Sequence, residues 1–306
     1  MPRKLRPCQS AQLYVLDVAS GESTLLFESS TLLFEAPNWS PDGNWLVING
    51  DGNLYRFPVD GSNAPEQIDL AGVPEINNDH VISPDGRTVY VSAEDGHIYA
   101  VPLVASADAT APWGGSHRRV SNDRGDKFRY YLHGISPDGA TLAYIGLRHG
   151  EVGVTTNVFT IPAAGGPDTQ YTDDDYPDDG AEFSPDGQWI YFNSERAGLV
   201  PGHAQLFRMP AAGGKPEQLT HDDRVNWFPH VSPDGKHMVY ISFPPGTLGH
   251  PADLHVSLRL LPPDGDQGGT VAPRELVRLF GGQGTINVPS WDPTSTKFAY
   301  VAYPIE

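Results

Sequence analysis

Four residues of this 306-residue chain combine type and spacing in a way that suits acid–base or metal chemistry. Glu182 and His230 each stand two residues before a serine that opens a Ser-Pro-Asp-Gly tetrapeptide, and His80 and His133 stand three residues before the equivalent Ser83 and Ser136. A single-residue bulge in each of the latter two segments would bring all four side chains to one level. Three imidazoles and a carboxylate around a common centre suit a divalent metal such as Mn, Zn or Ca, with neutral His and ionised Glu as ligands and one position left for water or substrate. Without a metal, His133, Glu182 and His230 could act as general acid and base, because His titrates near neutrality and a neighbouring carboxylate raises its pKa. Taken singly, each reads equally well as a hydrogen-bonded residue at a loop–strand junction.

Residues so far apart in the chain meet only if a repeated architecture brings them together. Ser-Pro-Asp-Gly occurs at Ser40, Ser83, Ser136, Ser184 and Ser232, with a degraded copy at Asp292, and successive copies start 43, 53, 48, 48 and 60 residues apart. Each is followed by a short apolar, aromatic-rich run such as Trp45-Leu46-Val47-Ile48 or Trp189-Ile190-Tyr191-Phe192, which reads as a strand. Pro at the first central position with Asp-Gly behind it is type I turn chemistry, so each copy predicts a hairpin. A third strand and a Gly-containing turn to a fourth complete a unit that repeats at the length of a β-propeller blade. The chain ends on two strands, Val288–Trp291 and Phe298–Ala302, and begins with two more, Gln12–Leu16 and Ser23–Phe27. The expectation is therefore a single all-β domain over residues 1–306, a six-bladed propeller of four-stranded antiparallel blades whose sixth blade is closed by both termini.

The phrase apolar-Ser-Pro-Asp-Gly-x-x-apolar-aromatic-apolar, with Gly-Gly or Asp-Gly between strands three and four, resembles the TolB-type propeller repeat along nearly the whole chain. That repeat serves Tol components, peptidase accessory domains and polysaccharide lyases, so the resemblance implies a fold more than a function. No Gly-x-Ser-x-Gly elbow is present, which removes the hydrolase partner of the peptidase propellers. A second, partial similarity is to oligogalacturonate lyases, which bind manganese through three His and a Gln in a seven-bladed propeller. Gln283 matches that Gln, whereas Ile286 and Val288 stand where two His are expected. What this likeness implies is a His-lined channel acting on uronates or other sugars.

In such a propeller the strand leading into Ser-Pro-Asp-Gly is innermost, and its start lies at the opposite channel mouth. The loops expected there carry Arg148, His149, Glu195, Arg196, His203 and His250, and the segments entering the inner strands carry Asn77, Asn78, Asp79, Tyr131, Asp178, Asp179, Asn226, Trp227 and Asn287. Arg148 and Arg196 are expected to bind substrate carboxylate or hydroxyls, Trp227 to stack on a sugar face, and Gln283 and Asn287 to hydrogen-bond from a Gly-rich loop. The Phe243–Leu254 loop is a candidate lid, and Ala105–His117 a plain surface excursion.

Composition narrows the partners. A formal net charge of −18 opposes binding to nucleic acid or anionic membrane, and no segment is long and apolar enough to span a bilayer. The start lacks the apolar stretch of a secretory signal, which predicts a cytoplasmic protein. Cys8 is the only cysteine, so the fold has neither an internal disulfide nor a thiolate metal site. These features together predict a lyase- or isomerase-type enzyme taking a small sugar- or uronate-like ligand, with a non-catalytic protein-interaction scaffold or a carbohydrate-binding propeller as the alternatives.

Overall fold

The computed structural model describes residues 3–103, 113–151, 153–198 and 200–305; most of the Ala105–His117 excursion lies outside them. Strands β1 (Ala11–Asp17) and β2 (Ser23–Ser29) open the chain. Blade one is β3 (Glu35–Trp39), β4 (Trp45–Gly50), β5 (Asn53–Pro58) and β6 (Glu66–Ile68), and blade two is β7 (Ile76–Ile82), β8 (Thr88–Ala93), β9 (Ile98–Pro102) and β10 (Arg118–Arg119). Blade three follows with β11 (Phe128–Ile135), β12 (Thr141–His149), β13 (Val154–Pro162) and β14 (Thr169–Gln170). Blade four is β15 (Asp178–Phe183), β16 (Trp189–Ser194), β17 (Gln205–Pro210) and β18 (Glu217–Gln218), and blade five β19 (Val225–Val231), β20 (Met238–Phe243), β21 (Leu254–Leu261) and β22 (Arg274–Gly281).

The last strand, β23 (Lys297–Ala302), pairs antiparallel with β1, and β1 with β2, so the two ends of the chain build the sixth blade together. Its inner strand is weaker than the sequence predicts: Val288–Trp291 touches β23 only through the Trp291–Phe298 bridge and a 2.9 Å hydrogen bond from Ala299 N–H to the Ser290 carbonyl. Gln9 bridges Ile305, and Ser10 N–H donates to the Pro304 carbonyl at 3.1 Å.

Each Ser-Pro-Asp-Gly is a self-contained turn. Ser40 Oγ donates to Asp42 Oδ1 (2.6 Å) and accepts from Trp45 N–H (3.0 Å), while Asp42 accepts from Asn44 N–H (3.1 Å). The same serine–aspartate bond recurs at Ser83, Ser136, Ser184 and Ser232. Gly43 has φ 76°, which a side chain would oppose. In the sixth copy Asp292 replaces the serine and accepts from the Thr296 and Lys297 amides.

The apolar strand faces pack into six clusters, one between each pair of neighbouring blades, from Val47, Val89 and Val91 between blades one and two to Leu13, Leu46 and Val301 between blades six and one. Burial of these faces closes the ring. Among the described residues no helix is long and apolar enough to cross a membrane.

Candidate functional site

Every complete blade carries a bulge where its inner strand enters the channel, and that bulge decides which residues meet. In blades one, four and five the residues two before the serine, Asn38, Glu182 and His230, pair with Val47, Tyr191 and Val239, with one extra residue just upstream. Ala36, Gly180 and Phe228 occupy that bulge at φ 52°, 68° and 53°. In blades two and three the equivalent level belongs to Val81 and Gly134, so the bulge does not lift His80 and His133 to the height of Glu182 and His230.

The expected quartet is therefore not assembled. His80 lies fully buried with Nε2 on the Val47 carbonyl (3.2 Å) and Nδ1 without a partner, and burial pushes its pKa down to about 4, so it is neutral. Glu182 Oε2 meets His230 Nδ1 at 2.5 Å, and His230 Nε2 donates to the Ile286 carbonyl at 2.5 Å. Asn38 Nδ2 donates to the Pro289 carbonyl of the neighbouring sixth blade at 2.5 Å. These contacts tie adjacent inner strands to one another around the channel. Among the described residues no group of three or more His, Cys, Asp or Glu is arranged to hold a metal ion. Ile286 and Val288 are fully buried and apolar, and the Gln283 side chain is spent on His250 and Asn287, so the manganese set of the lyases does not fit these positions either.

His133 instead enters a second constellation nearer the start of the inner strands. Its Nε2 contacts Asp179 Oδ1 at 2.8 Å, and the other oxygen of Asp179 lies 3.4 Å from His250 Nε2. His250 Nδ1 donates to Gln283 Oε1, which also accepts from Asn287 Nδ2 at 3.2 Å. Asp79, held by Asn77 Nδ2 at 2.9 Å, is close enough for its charge and that of His133 to shift one another. These groups line a cavity of about 290 Å³, walled by Tyr131, Phe228, Ile145 and Leu147. The Phe228 ring sits 5.8 Å from His133 and 5.1 Å from His250, with Trp227 backing His250 at 4.4 Å.

Electrostatics splits the two carboxyls. Burial, reinforced by the charge of Asp179, raises Asp79 to about 6 against the pull of His133 and His250. Asp179 is only partly exposed, and the desolvation this brings would raise it, but His133 and His250, both on its oxygens, outweigh that and hold it well below the usual carboxylate range. His133 is buried too, yet Asp79 and Asp179 together lift it to about 9. A carboxyl that ionises near 6 beside an imidazolium that persists to about 9 is an acid–base pair poised around neutrality.

Of the residues predicted to form the site, His133, Gln283 and Asn287 line the cavity, while Trp227 lies behind it. Arg148 is exposed at the end of β12. Arg196 is committed to Asp178 through Nη2 (2.8 and 3.0 Å) and to Asp174 (3.5 Å), so neither arginine reaches a ligand there. Asp79, Asp179 and His250 were legible as residues of this face, but not as its chemical centre. The signal for Asp79 was its place in Asn77-Asn78-Asp79, a polar run at the entry of an otherwise apolar strand. The Phe243–Leu254 loop, the candidate lid, contributes His250 to the cavity wall.

The model of the TolB beta propeller domain matches residues 114–250. An uncharacterized protein of Agrobacterium fabrum is 39% identical over 279 residues, spanning 90% of this chain and 86% of that one. A solved structure from Agrobacterium tumefaciens, described provisionally as TolB, shares 36% identity with a TM-score of 0.84, covering 97% of this chain and 99% of its own. An oligogalacturonate lyase solved with manganese is 15% identical with a TM-score of 0.56, over 91% of this chain and 75% of its own, a likeness of fold alone.

Proposed function

Because the chain belongs to the TolB β-propeller family, whose blades supply a frame and leave chemistry to the channel mouth, we propose that Asp79, His133 and Asp179 form a metal-independent proton-transfer site. The observation that supports this reading is the Asp79–His133–Asp179 cluster, in which Asp79 and His133 are buried, facing a cavity of about 290 Å³. The volume suits a small polar molecule such as a monosaccharide. Its lining contains Asp79, Glu94 and Asp179 but no Arg or Lys, so a neutral or cationic substrate fits better than a uronate.

The reaction class follows from the pair. Ionised Asp79 removes a proton from a carbon next to a carbonyl, and the positive charge of His133, whose Nε2 is held by Asp179 and whose Nδ1 is buried, stabilises the oxygen that gains charge. In an isomerisation the neighbouring hydroxyl passes its proton to that oxygen and Asp79 returns the carbon-bound proton to the other carbon; in an elimination the C–O bond breaks and the departing oxygen takes the proton from Asp79. Asp179 keeps His133 protonated and oriented, and Tyr131 and Phe228 offer ring faces for a sugar. The chain is incubated in D₂O with a panel of neutral and amino sugars, and ¹H NMR follows C–H exchange alongside product formation. Wild-type exchange that disappears in folded His133→Asn and Asp79→Asn supports the reading. Ligand binding without exchange in any panel member, unchanged by either substitution, would instead indicate a carbohydrate-binding or scaffold role.

A further inference from the structure

Next to the acid–base cavity lies a second site that nothing in the proton-transfer reading uses. Arg3 reaches across the same mouth and inserts its guanidinium between three elements of the ring. Its Nη1 contacts Glu35 Oε1 (3.2 Å) and donates to the Gln283 carbonyl (2.9 Å), Nη2 meets Asp253 Oδ1 (2.8 Å), and its Cζ stands 4.1 Å above the Tyr303 ring. Two carboxylates, a carbonyl and an aromatic face make a cage for a flat cation. Gly284 permits the approach: at φ 88°, a Cβ there would lie 2.5 Å from both Glu35 Oε1 and Tyr303 Oη.

The cage is larger than its occupant. Beyond the guanidinium runs a cavity of about 170 Å³ lined by Asn49, Asn77, Asn78 and Glu94. Asn49 Oδ1, Asn78 Nδ2 and Arg3 Nε are buried in this region without hydrogen-bond partners. Unpaired buried polar atoms carry a desolvation cost that a polar ligand would relieve. Asn77, Asn78, Glu94 and Gln283 also line the larger cavity, so the two share a wall. Gln283 joins them directly, its carbonyl on Arg3 and its side chain on His250.

We propose that the Glu35–Asp253–Tyr303 cage is a cation-binding subsite of the channel mouth, occupied by Arg3 as the chain's own stand-in, and that a small ligand bearing a guanidinium or ammonium group displaces Arg3. The inference draws on the proposed function only for the ligand's other end, which reaches the Asp79–His133 cavity. An arm docked nine-tenths of the time would weaken apparent affinity about tenfold, so removing Arg3 should restore that factor.

The probes are butylguanidinium and its neutral isostere butylurea, titrated calorimetrically into the full chain. Arg3→Ala is expected to bind butylguanidinium about tenfold more tightly than wild type and butylurea not measurably, and Glu35→Gln added to Arg3→Ala should remove at least tenfold of that affinity. A folded Arg3→Ala chain that binds butylguanidinium no better than wild type, or no better than butylurea, overturns the proposal and leaves Arg3 a structural staple. Should Arg3→Ala not fold, the wild-type Arg3 Nε–H resonance, assigned through Arg3→Lys, decides: it must shift with saturating butylguanidinium and stay fixed with butylurea, and a fixed signal with both overturns the idea. Asp79→Asn should retain the guanidinium affinity while losing C–H exchange, so failure of the cage and failure of the proton-transfer site are read separately.

Discussion

At the scale of single residues, the pair that matters is Asp79 and His133. With Asp79 ionising near 6 and His133 holding its proton to about 9, kcat/KM for any exchanging substrate should be bell-shaped with limbs near those values. Asp79→Asn should abolish the base whose ionisation sets the acid limb, and His133→Asn the cation whose loss sets the alkaline limb, each with a loss of about 10²–10⁴ in turnover. Stability carries the same signature. His133, raised from 6.5 to about 9, stabilises the fold fully below 6.5 and loses that contribution as pH rises through about 9. Asp79, raised from 3.8 to about 6, works in the same direction lower down: its folded form holds the proton longer, so stability falls as pH climbs from 3.8 to about 6. Glu182 and His230 belong to another category. Glu182→Gln should cost about 1–3 kcal/mol in denaturant titrations by weakening its buried hydrogen bond with His230, and leave C–H exchange intact because neither residue lines the cavity. The sequence identified the right residue types on the right face. It could not separate Glu182 and His230 from His133, because counting back from the serine assumes a bulge of the same kind in every blade.

That bulge is the deciding feature at the scale of elements. In blades one, four and five it is made by a residue in the left-handed region, and only one of the three, Gly180, announces this by its type. Ala36 and Phe228 take the same conformation under tertiary constraint, which no local pattern reveals. The turns behave oppositely: every bond that shapes Ser-Pro-Asp-Gly is made within six residues, so the motif is fully readable. Blade three shows how tight the inner strands are. A Cβ on Gly134 would fall 2.7 Å from the Ala181 carbonyl oxygen and 2.9 Å from Glu182 Cα, both backbone atoms of blade four. Gly134→Ala should therefore wedge the two blades apart, lowering unfolding free energy by about 1–3 kcal/mol and moving His133 relative to Asp179. Near-UV circular dichroism with a guanidinium titration checks the first effect, and loss of exchange at unchanged far-UV signal the second.

At the scale of the whole molecule the ring is held by six interblade clusters, and its one seam is the β1–β23 pairing. The repeat count and the complementary ends made this closure legible in the sequence. The reduced inner strand of blade six was not, since Val288–Trp291 has the right composition but gives its Pro289 carbonyl to the Asn38 side chain of blade one and meets β23 at a single bridge. Deleting residues 1–28 removes both outer strands of that blade, leaving β23 as an open edge and the apolar faces of blades one and five uncovered. The expected result is aggregated protein in size-exclusion chromatography; a soluble monomer with native far-UV signal would refute the role assigned to the seam.

The Gln9–Ile305 bridge has a further consequence for topology. Where the two ends of a backbone lie side by side, the polypeptide is in effect a loop with a nick, and the position of the nick is a property of the gene more than of the fold. Joining residue 305 back to residue 9 by a short linker and reopening the backbone within the exposed Asp60–Asn63 turn should yield a circularly permuted chain with the same ring, now sealed by a different pair of strands.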